Sequence, residues 1–336
     1  MNLLRKILFP FAILYGWVTQ LRNFLYDIGI LKSYTFDIPI IAVGNLSVGG
    51  TGKTPQIEYL IRLLSENYKI ATLSRGYKRK SKGFLLADAN ATASTLGDEP
   101  YQFYKKFPNI QVAVDANRKN GIKQLLSLQN KPEVILLDDA FQHRKVKAGF
   151  YILLTAYDDL FCDDYILPTG NLRESRSGSK RANCIIVTKC PKTISDFEQN
   201  EIRKKIGSNN PVFFSCIEYD DCIYSAKESK KVNEIKDLNK LLIAGIAKPK
   251  SFFDFLKNQN DIFLIFPDHH HFTASDILTI KSKAKVSIII TTEKDFVRLK
   301  DSIPDEHLYY LPIQTSFISN GTIFDSIIAE YLKTAI

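Results

Sequence analysis

Long apolar runs are missing from this chain. The N-terminal apolar stretch, Ile7 to Val18, is 12 residues long, whereas a helix needs about 20 to cross a bilayer. Cysteine is scarce and unpatterned. The five present (Cys162, Cys184, Cys190, Cys216, Cys222) include no CxxC pair. That argues against a zinc site and a disulfide framework, and fits a reducing cytosol. No internal repeat or low-complexity tract is visible. Histidine is sparse too, and three of the five sit in one run, His269-His270-His271. Imidazole chemistry, if used, is expected there.

What is present is globular in character. The chain has 336 residues, 45% hydrophobic and 24% charged, enough for two domains with sizeable cores. The net charge of +9 suits an anionic partner, such as a nucleotide, a phosphorylated substrate, an acidic lipid surface or nucleic acid. Arg5 and Lys6 precede the N-terminal apolar stretch, Arg22 follows it, and Tyr15, Trp17 and Tyr26 are residue types of membrane interfaces. No small-residue cleavage site follows, so a signal peptide is not expected. Residues 1–27 read as an amphipathic segment lying in a membrane surface, with a helix buried on the adjoining domain as the alternative.

Residues 44 to 55, Gly-Asn-Leu-Ser-Val-Gly-Gly-Thr-Gly-Lys-Thr-Pro, carry the clearest chemistry. They lie between an apolar run, Ile38 to Val43, and a stretch with helical spacing from Gln56. Strand, glycine-rich turn and helix start make a phosphate-binding loop, in which backbone N–H groups converge on an anion at a helix N-terminus. The segment Ser47, Val48, Gly49, Gly50, Thr51 and Gly52 would cradle the phosphates. Lys53 would reach the outer ones, and the Thr54 hydroxyl would ligate Mg²⁺. The usual pattern has glycine where this chain has Ser47.

Further apolar runs, Lys69–Leu73, Ile110–Val114, Val134–Leu137, Phe150–Leu154 and Cys184–Val187, alternate with helical stretches. Continuous hydrophobicity implies strands covered on both faces, hence an α/β fold with a parallel sheet flanked by helices. Ligands should gather at the carboxyl ends of those strands. The turn-rich Gly207–Pro211 marks a break, and a second apolar series follows (Leu241–Ile246, Ile262–Phe266, Val286–Thr291, Leu308–Leu311). The expected organisation is a membrane-associated segment at 1–27, a P-loop core at 28–211, and a smaller α/β domain with a β linker at 212–336.

Asp138-Asp139 ends the Val134–Leu137 run, which is the Walker B arrangement, with Asp138 expected on Mg²⁺. An N-cap role explains one of the two carboxylates. Gly97-Asp98-Glu99-Pro100 offers either a helix start or a carboxylate that takes a proton from an acceptor hydroxyl. Phe266-Pro267-Asp268-His269-His270-His271 offers a partner imidazole, or simply a polar loop before the next helix. Adjacent histidines cannot converge on one zinc. Cationic clusters follow several strands: Ser74–Lys80, Asn117-Arg118-Lys119 and Leu167–Arg176. Arginine forks suit phosphate. Val187-Thr188-Lys189-Cys190 lacks the aspartate that selects guanine, which favours ATP over GTP.

In order and spacing these motifs resemble the tetraacyldisaccharide 4'-kinase (lipid A 4'-kinase) family of Gram-negative bacteria, over essentially the whole chain. Gly245-Ile246-Ala247-Lys248-Pro249 and Thr292-Glu293-Lys294-Asp295 complete the series. The resemblance implies transfer of the ATP γ-phosphate to the 4'-hydroxyl of the lipid A disaccharide 1-phosphate precursor, giving lipid IVA. It implies a catalytic set of Asp98, His269 and Asp139. Arg118 and Arg173 match basic positions near the nucleotide, and Asp138 and Thr54 match the metal side. His270 and His271 extend the family's histidine run. A monomer is expected, at an anionic membrane surface on the cytoplasmic face of the inner membrane. A soluble P-loop GTPase or ATPase of metal delivery is the alternative. No nucleic-acid partner is expected, because the basic residues are spread over several loops.

Overall fold

The computed structural model describes residues 5, 7–268, 270–284, 288–304 and 306–335. They form two compact units, one comprising the chain up to Ile217 with Thr315 onward, the other Glu218–Gln314.

The larger unit holds β1 (Ile40–Asn45), β2 (Ile70–Ser74), β3 (Leu85–Leu86), β4 (Gln111–Val114), β5 (Val134–Asp138), β6 (Phe150–Ala156), β7 (Cys184–Thr188) and β8 (Val212–Tyr219). They assemble in the order β8-β7-β6-β1-β5-β2-β4-β3. Every pairing from β8 to β4 is parallel, and the two-residue β3 closes the edge antiparallel to β4. Strands β1, β2, β5 and β7 are buried at every residue. This is why they read as unbroken apolar runs: helices cover both faces. Up to Ile206 the helices of this unit are α1 (Phe9–Asp27), α2 (Lys53–Leu64), α3 (Ala93–Leu96), α4 (Asp98–Lys106), α5 (Arg118–Leu126) and α6 (Asp196–Ile206).

Among the described residues the sheet of the smaller unit has six strands, β9 (Cys222–Tyr224), β10 (Ser229–Lys231), β11 (Lys240–Ala244), β12 (Ile262–Ile265), β13 (Ile288–Thr292) and β14 (Leu308–Leu311), ordered β10-β9-β14-β13-β11-β12. Helices α7 (Val232–Ile235), α8 (Lys250–Leu256), α9 (Ala274–Ala284) and α10 (Glu293–Leu299) accompany them.

The boundary expected at 212 differs from the one observed. Strand β8 starts at Val212 but pairs with β7 in the larger sheet. Beyond the smaller unit, β15 (Ile313–Ser319) joins that sheet beside β8, and α11 (Gly321–Ala335) packs into the same core. Phe324, Ile328 and Leu332, spaced four apart, are fully buried against a cluster that includes Ile57, Leu60 and Phe213 of the larger unit. Chain order did not reveal this return. An apolar stripe states that it needs a partner surface, not which one.

Helix α1 carries the N-terminal apolar stretch. Its inner face is small, with only Ala12 and Gly16 buried, while Phe11, Leu14, Trp17 and Leu21 stand exposed. Polar side chains moor it instead. Tyr15 Oη donates to the Arg173 carbonyl (3.0 Å), Arg22 to the Gln142 carbonyl (2.8 Å), and Asn23 Nδ2 to Glu174 Oε2 (2.6 Å). Among the described residues no helix is long and apolar enough to cross a membrane.

Candidate functional site

The carboxyl end of β1 runs into the glycine-rich turn. Gly44 is needed for close approach, since a Cβ there would lie 2.7 Å from Phe141 Cβ. Gly49 and Gly52 have φ of +116° and +82°, a region that costs L-residues steric strain, and Gly52 is the N-cap of α2. Ser47 adopts no such angle. It bridges Leu172 in antiparallel pairing, flanked by Val48 N donating to the Asn171 carbonyl (2.8 Å) and Arg173 N to the Leu46 carbonyl (2.8 Å). That accounts for the departure from the usual pattern: a residue clasped as a short strand has no use for glycine. Val48's amide is thus engaged by Asn171 rather than turned to a phosphate. On the other flank, Thr188 Oγ1 donates to the Thr51 carbonyl (2.8 Å) and Lys189 Nζ to the Gly50 carbonyl (2.5 Å).

Lys53, the first residue of α2, reaches back toward Asn45 Oδ1 (3.4 Å) and Asp139 Oδ1 (3.6 Å). Thr54 follows it in the helix's first turn. Register places Asp138 beside Val43 of β1, so the β5 carboxylate sits against the loop. Asp138 is buried, and its Oδ1 has no hydrogen-bond partner among the described residues. Burial, helped by the neighbouring Asp139 charge, pushes its pKa up to about 7. Asp139 stands at φ +48°, outside the strand and partly exposed. Burial works against its charge, but Lys53 and Arg173 outweigh that and hold it below the usual carboxylate range. Arg173 NH1 grips both of its oxygens, at 3.0 and 3.2 Å. A buried, orphaned acceptor at the strand end next to the loop, with a hydroxyl in the first turn of the helix that follows, fits a small hard cation, which takes one or two carboxylates and leaves its other positions to phosphate and water. No cluster of three or more His, Cys, Asp or Glu among the described residues could cage a metal.

Arg118 is buried at the start of α5 and donates to the carbonyls of Asp115 (2.9 Å) and Asp138 (3.2 Å), tying the ends of β4 and β5 together. Burial lowers its pKa to about 10. Asp98 is the first residue of α4, after Gly97 at φ +94°, and half-buried. Glu99 beside it bears electrostatically on Asp138, so the start of α4 lies near the same strand end.

His269 lies outside the described residues. Its neighbour His270 is committed within the smaller unit: Nε2 meets Asp276 Oδ2 at 2.9 Å and the ring stacks on Phe266. His271 is exposed.

Four residues of the site went unread as such in the sequence. Asn45 receives Lys53, and Gln142 Nε2 donates to the Asn45 carbonyl (2.8 Å) and to Glu174 Oε1 (3.0 Å). Buried Glu174 also takes Arg181 (2.7 Å). Lys189 closes the far flank of the loop. Asn45 and Glu174 directly adjoin the Gly44 and Arg173 positions, Gln142 continues the stretch after Asp138-Asp139, and Lys189 lies in the run at 187–190 that bears on base selection.

Comparison with known proteins narrows the chemistry. A family model described as tetraacyldisaccharide-1-P 4'-kinase matches residues 4–333. A Flavobacterium psychrophilum protein named tetraacyldisaccharide 4'-kinase is 68% identical, spanning 100% of this chain and 99% of its own length. A Bacteroides thetaiotaomicron protein of the same name is 46% identical over 94% of this chain and 90% of its own. The solved structure of LpxK from Aquifex aeolicus in complex with ATP matches with a TM-score of 0.81 at 32% identity, covering 98% of this chain and 100% of that one.

Proposed function

The chain belongs to the tetraacyldisaccharide-1-P 4'-kinase family, and from that premise we propose how its residues carry out the reaction. The enzyme is an ATP-dependent lipid kinase. It transfers the γ-phosphate of ATP to the 4'-hydroxyl of tetraacyldisaccharide 1-phosphate, forming lipid IVA in lipid A biosynthesis. Metal delivery by a soluble GTPase or ATPase is not supported by any of these likenesses.

The observation that carries the mechanism is the cationic floor at the carboxyl end of β1 and β5, where Lys53 and Arg173 converge on Asp139. Phosphoryl transfer asks for positioning and charge neutralisation more than for covalent chemistry. With ATP seated, the Gly49–Gly52 amides and Lys53 would take the β- and γ-phosphates. Lys53 would trade Asp139 for phosphate oxygens, and Asp139 would keep Arg173 oriented at the site. Arg118, fixed by two carbonyls, would supply stationary positive charge. Thr54 and Asp138 would hold Mg²⁺. The ion, when bound, would supply charge neutralisation to the phosphates. Asp98 would accept the proton of the 4'-hydroxyl as it attacks phosphorus, and His269 would orient or relay for Asp98, as the family resemblance implies.

Helix α1 supports a seat on the membrane. Its exposed face presents Phe11, Leu14, Trp17, Val18 and Leu21, and the Tyr15 hydroxyl donates to the Arg173 carbonyl, joining the helix to the segment that carries that arginine. An apolar face of this kind buries at the headgroup boundary. The acceptor's acyl chains can then stay in lipid while its sugar meets the site. We place the enzyme as a monomer on the anionic cytoplasmic face of the inner membrane.

Incubating the protein with ATP, Mg²⁺ and the disaccharide 1-phosphate, followed by mass analysis, should yield an acceptor heavier by one phosphate. An unmodified acceptor, with ATP bound, would overturn the reading. Deleting residues 1–27 should move the protein off vesicles containing anionic lipid, and unchanged pelleting would remove the membrane role of α1.

A further inference from the structure

Glu58 is a carboxylate buried in the helix that follows the phosphate loop, with only 1% of its surface exposed. Its Oε1 accepts from Gln102 Nε2 at 2.9 Å. Its Oε2 meets Lys106 Nζ at 2.8 Å and Arg62 NH1 at 3.5 Å. Gln102 is itself buried. A charge placed there is an expensive way to hold two helices together, because apolar residues of similar size would pack them as well. What an apolar contact lacks is direction. A hydrogen bond fixes how far one helix slides along the other, and a slip of one residue is about 1.5 Å.

The spacing shows what that register controls. Residues four apart stack on one helix face. On α2 this makes a column of Thr54, Glu58 and Arg62, and on α4 a column of Asp98, Gln102 and Lys106. Helix α2 leaves β1 and α4 leads into β4, two strands of one parallel sheet, so both helices start at its carboxyl end. One turn toward that end from the Glu58–Gln102 bond stand Thr54 on one helix and Asp98 on the other. The Glu99 charge also bears on Asp138, so the start of α4 lies within electrostatic reach of that carboxylate.

We propose that Glu58 is a positioning residue for phosphoryl transfer: through Gln102 and Lys106 it locks α4 in axial register against α2, and so sets where the Asp98 carboxylate stands relative to Thr54 and the bound γ-phosphate. The inference rests on the reading of Asp98 as the base.

The test compares Glu58→Leu, Gln102→Met, the swap Glu58→Gln/Gln102→Glu, and Asp98→Ala, all in the full chain and below the melting temperature of each. A displacement of about 1 Å at a reacting group can cost on the order of 10²-fold in rate. Glu58→Leu and Gln102→Met should therefore lower kcat by on the order of 10–10²-fold. KM for ATP and ATP affinity by calorimetry should not change, since the loop amides and Lys53 are untouched. The swap, which returns one carboxylate and one amide to the pair, should recover most of the loss. A role in folding alone would shift the melting temperature and leave this pattern out. Wild-type kcat in both single variants, with Asp98→Ala inactive, overturns the positioning role and spares the base. Full turnover in Asp98→Ala overturns the base and the inference with it. A parallel rise in KM for ATP, or a swap no better than the single variants, also overturns it. If Glu58→Leu does not fold, Gln102→Met decides, because it leaves Glu58 paired with Lys106 and Arg62.

Discussion

One buried carboxylate of the larger unit, Asp138, is held differently from two of the smaller unit, Asp295 and Asp261. In the smaller unit both oxygens of Asp295 are taken: Oδ2 accepts from Gly245 N and Thr292 Oγ1 (2.7 Å each), and Oδ1 from Arg298 (3.2 Å). Asp261 accepts from Lys240 N (2.9 Å) and Asn258 N (2.8 Å) and meets Lys240 Nζ at 3.2 Å, with both side chains wholly buried. In the larger unit Asp138 keeps one oxygen without a partner among the described residues. A satisfied buried charge holds loops in place. An unsatisfied one lowers stability and persists where chemistry uses it. The contrast fits the proposed role of Asp138 at the phosphate site.

The largest expected effect sharpens that contrast in the larger unit. Asp138→Asn should cut turnover on the order of 10²–10³-fold, the scale of one electrostatic group at a reacting centre. It should nevertheless melt no lower than the parent without ligand, because the amide removes a charge that burial disfavours. A strongly destabilised but active variant would break the comparison. In the smaller unit the reverse is expected. Lys240→Met leaves Asp261 buried and unpaired, and should cost about 3–5 kcal/mol in denaturant unfolding. A neutral result there would mean the pair is not what holds β11 to the loop before β12.

A milder test uses His143. Its Nε2 is buried without a partner among the described residues. Burial, then the Arg118 charge, drives its pKa down to about 4. Between that value and the ordinary one near 6.5, the unfolded chain binds the proton and the folded chain does not. Stability from this residue is therefore complete above about pH 6.5 and declines as pH falls toward 4. His143→Gln should flatten that part of a melting-temperature profile against pH, and an unchanged slope would assign it to other groups. The smallest effect on stability belongs to the outer face of α1. Trp17→Ser, at a side chain 70% exposed, should stay within about 0.5 kcal/mol of the parent while weakening vesicle binding. A large loss of stability would mean that Trp17 packs on the protein rather than facing lipid.

Much of the scaffold was legible. The apolar runs at 134–137, 184–187 and 308–311 became β5, β7 and β14 with ends shifted by a residue at most. Strands buried on both faces leave no alternation to misread. The two-residue β3 was not, for it is too short to carry a pattern. Nor was the return of β15 and α11 to the first sheet, since hydrophobicity lacks an address.

For the site, the chain's own order of residues decided which groups exist and which strand ends they stand at: Lys53 and Thr54 after β1, Asp138 at the end of β5 with Asp139 next to it, Asp98 at the start of α4. Local rules suffice for that, because turns, helix starts and strand ends are set by neighbours in sequence. Tertiary structure alone decided the pairings: Arg173 with Asp139, Asn45 with Lys53, Glu58 with Gln102 and Lys106. Those bonds join residues from 8 to 48 positions apart. Their geometry depends on how helices and loops pack across the sheet, which spacing along the chain does not encode.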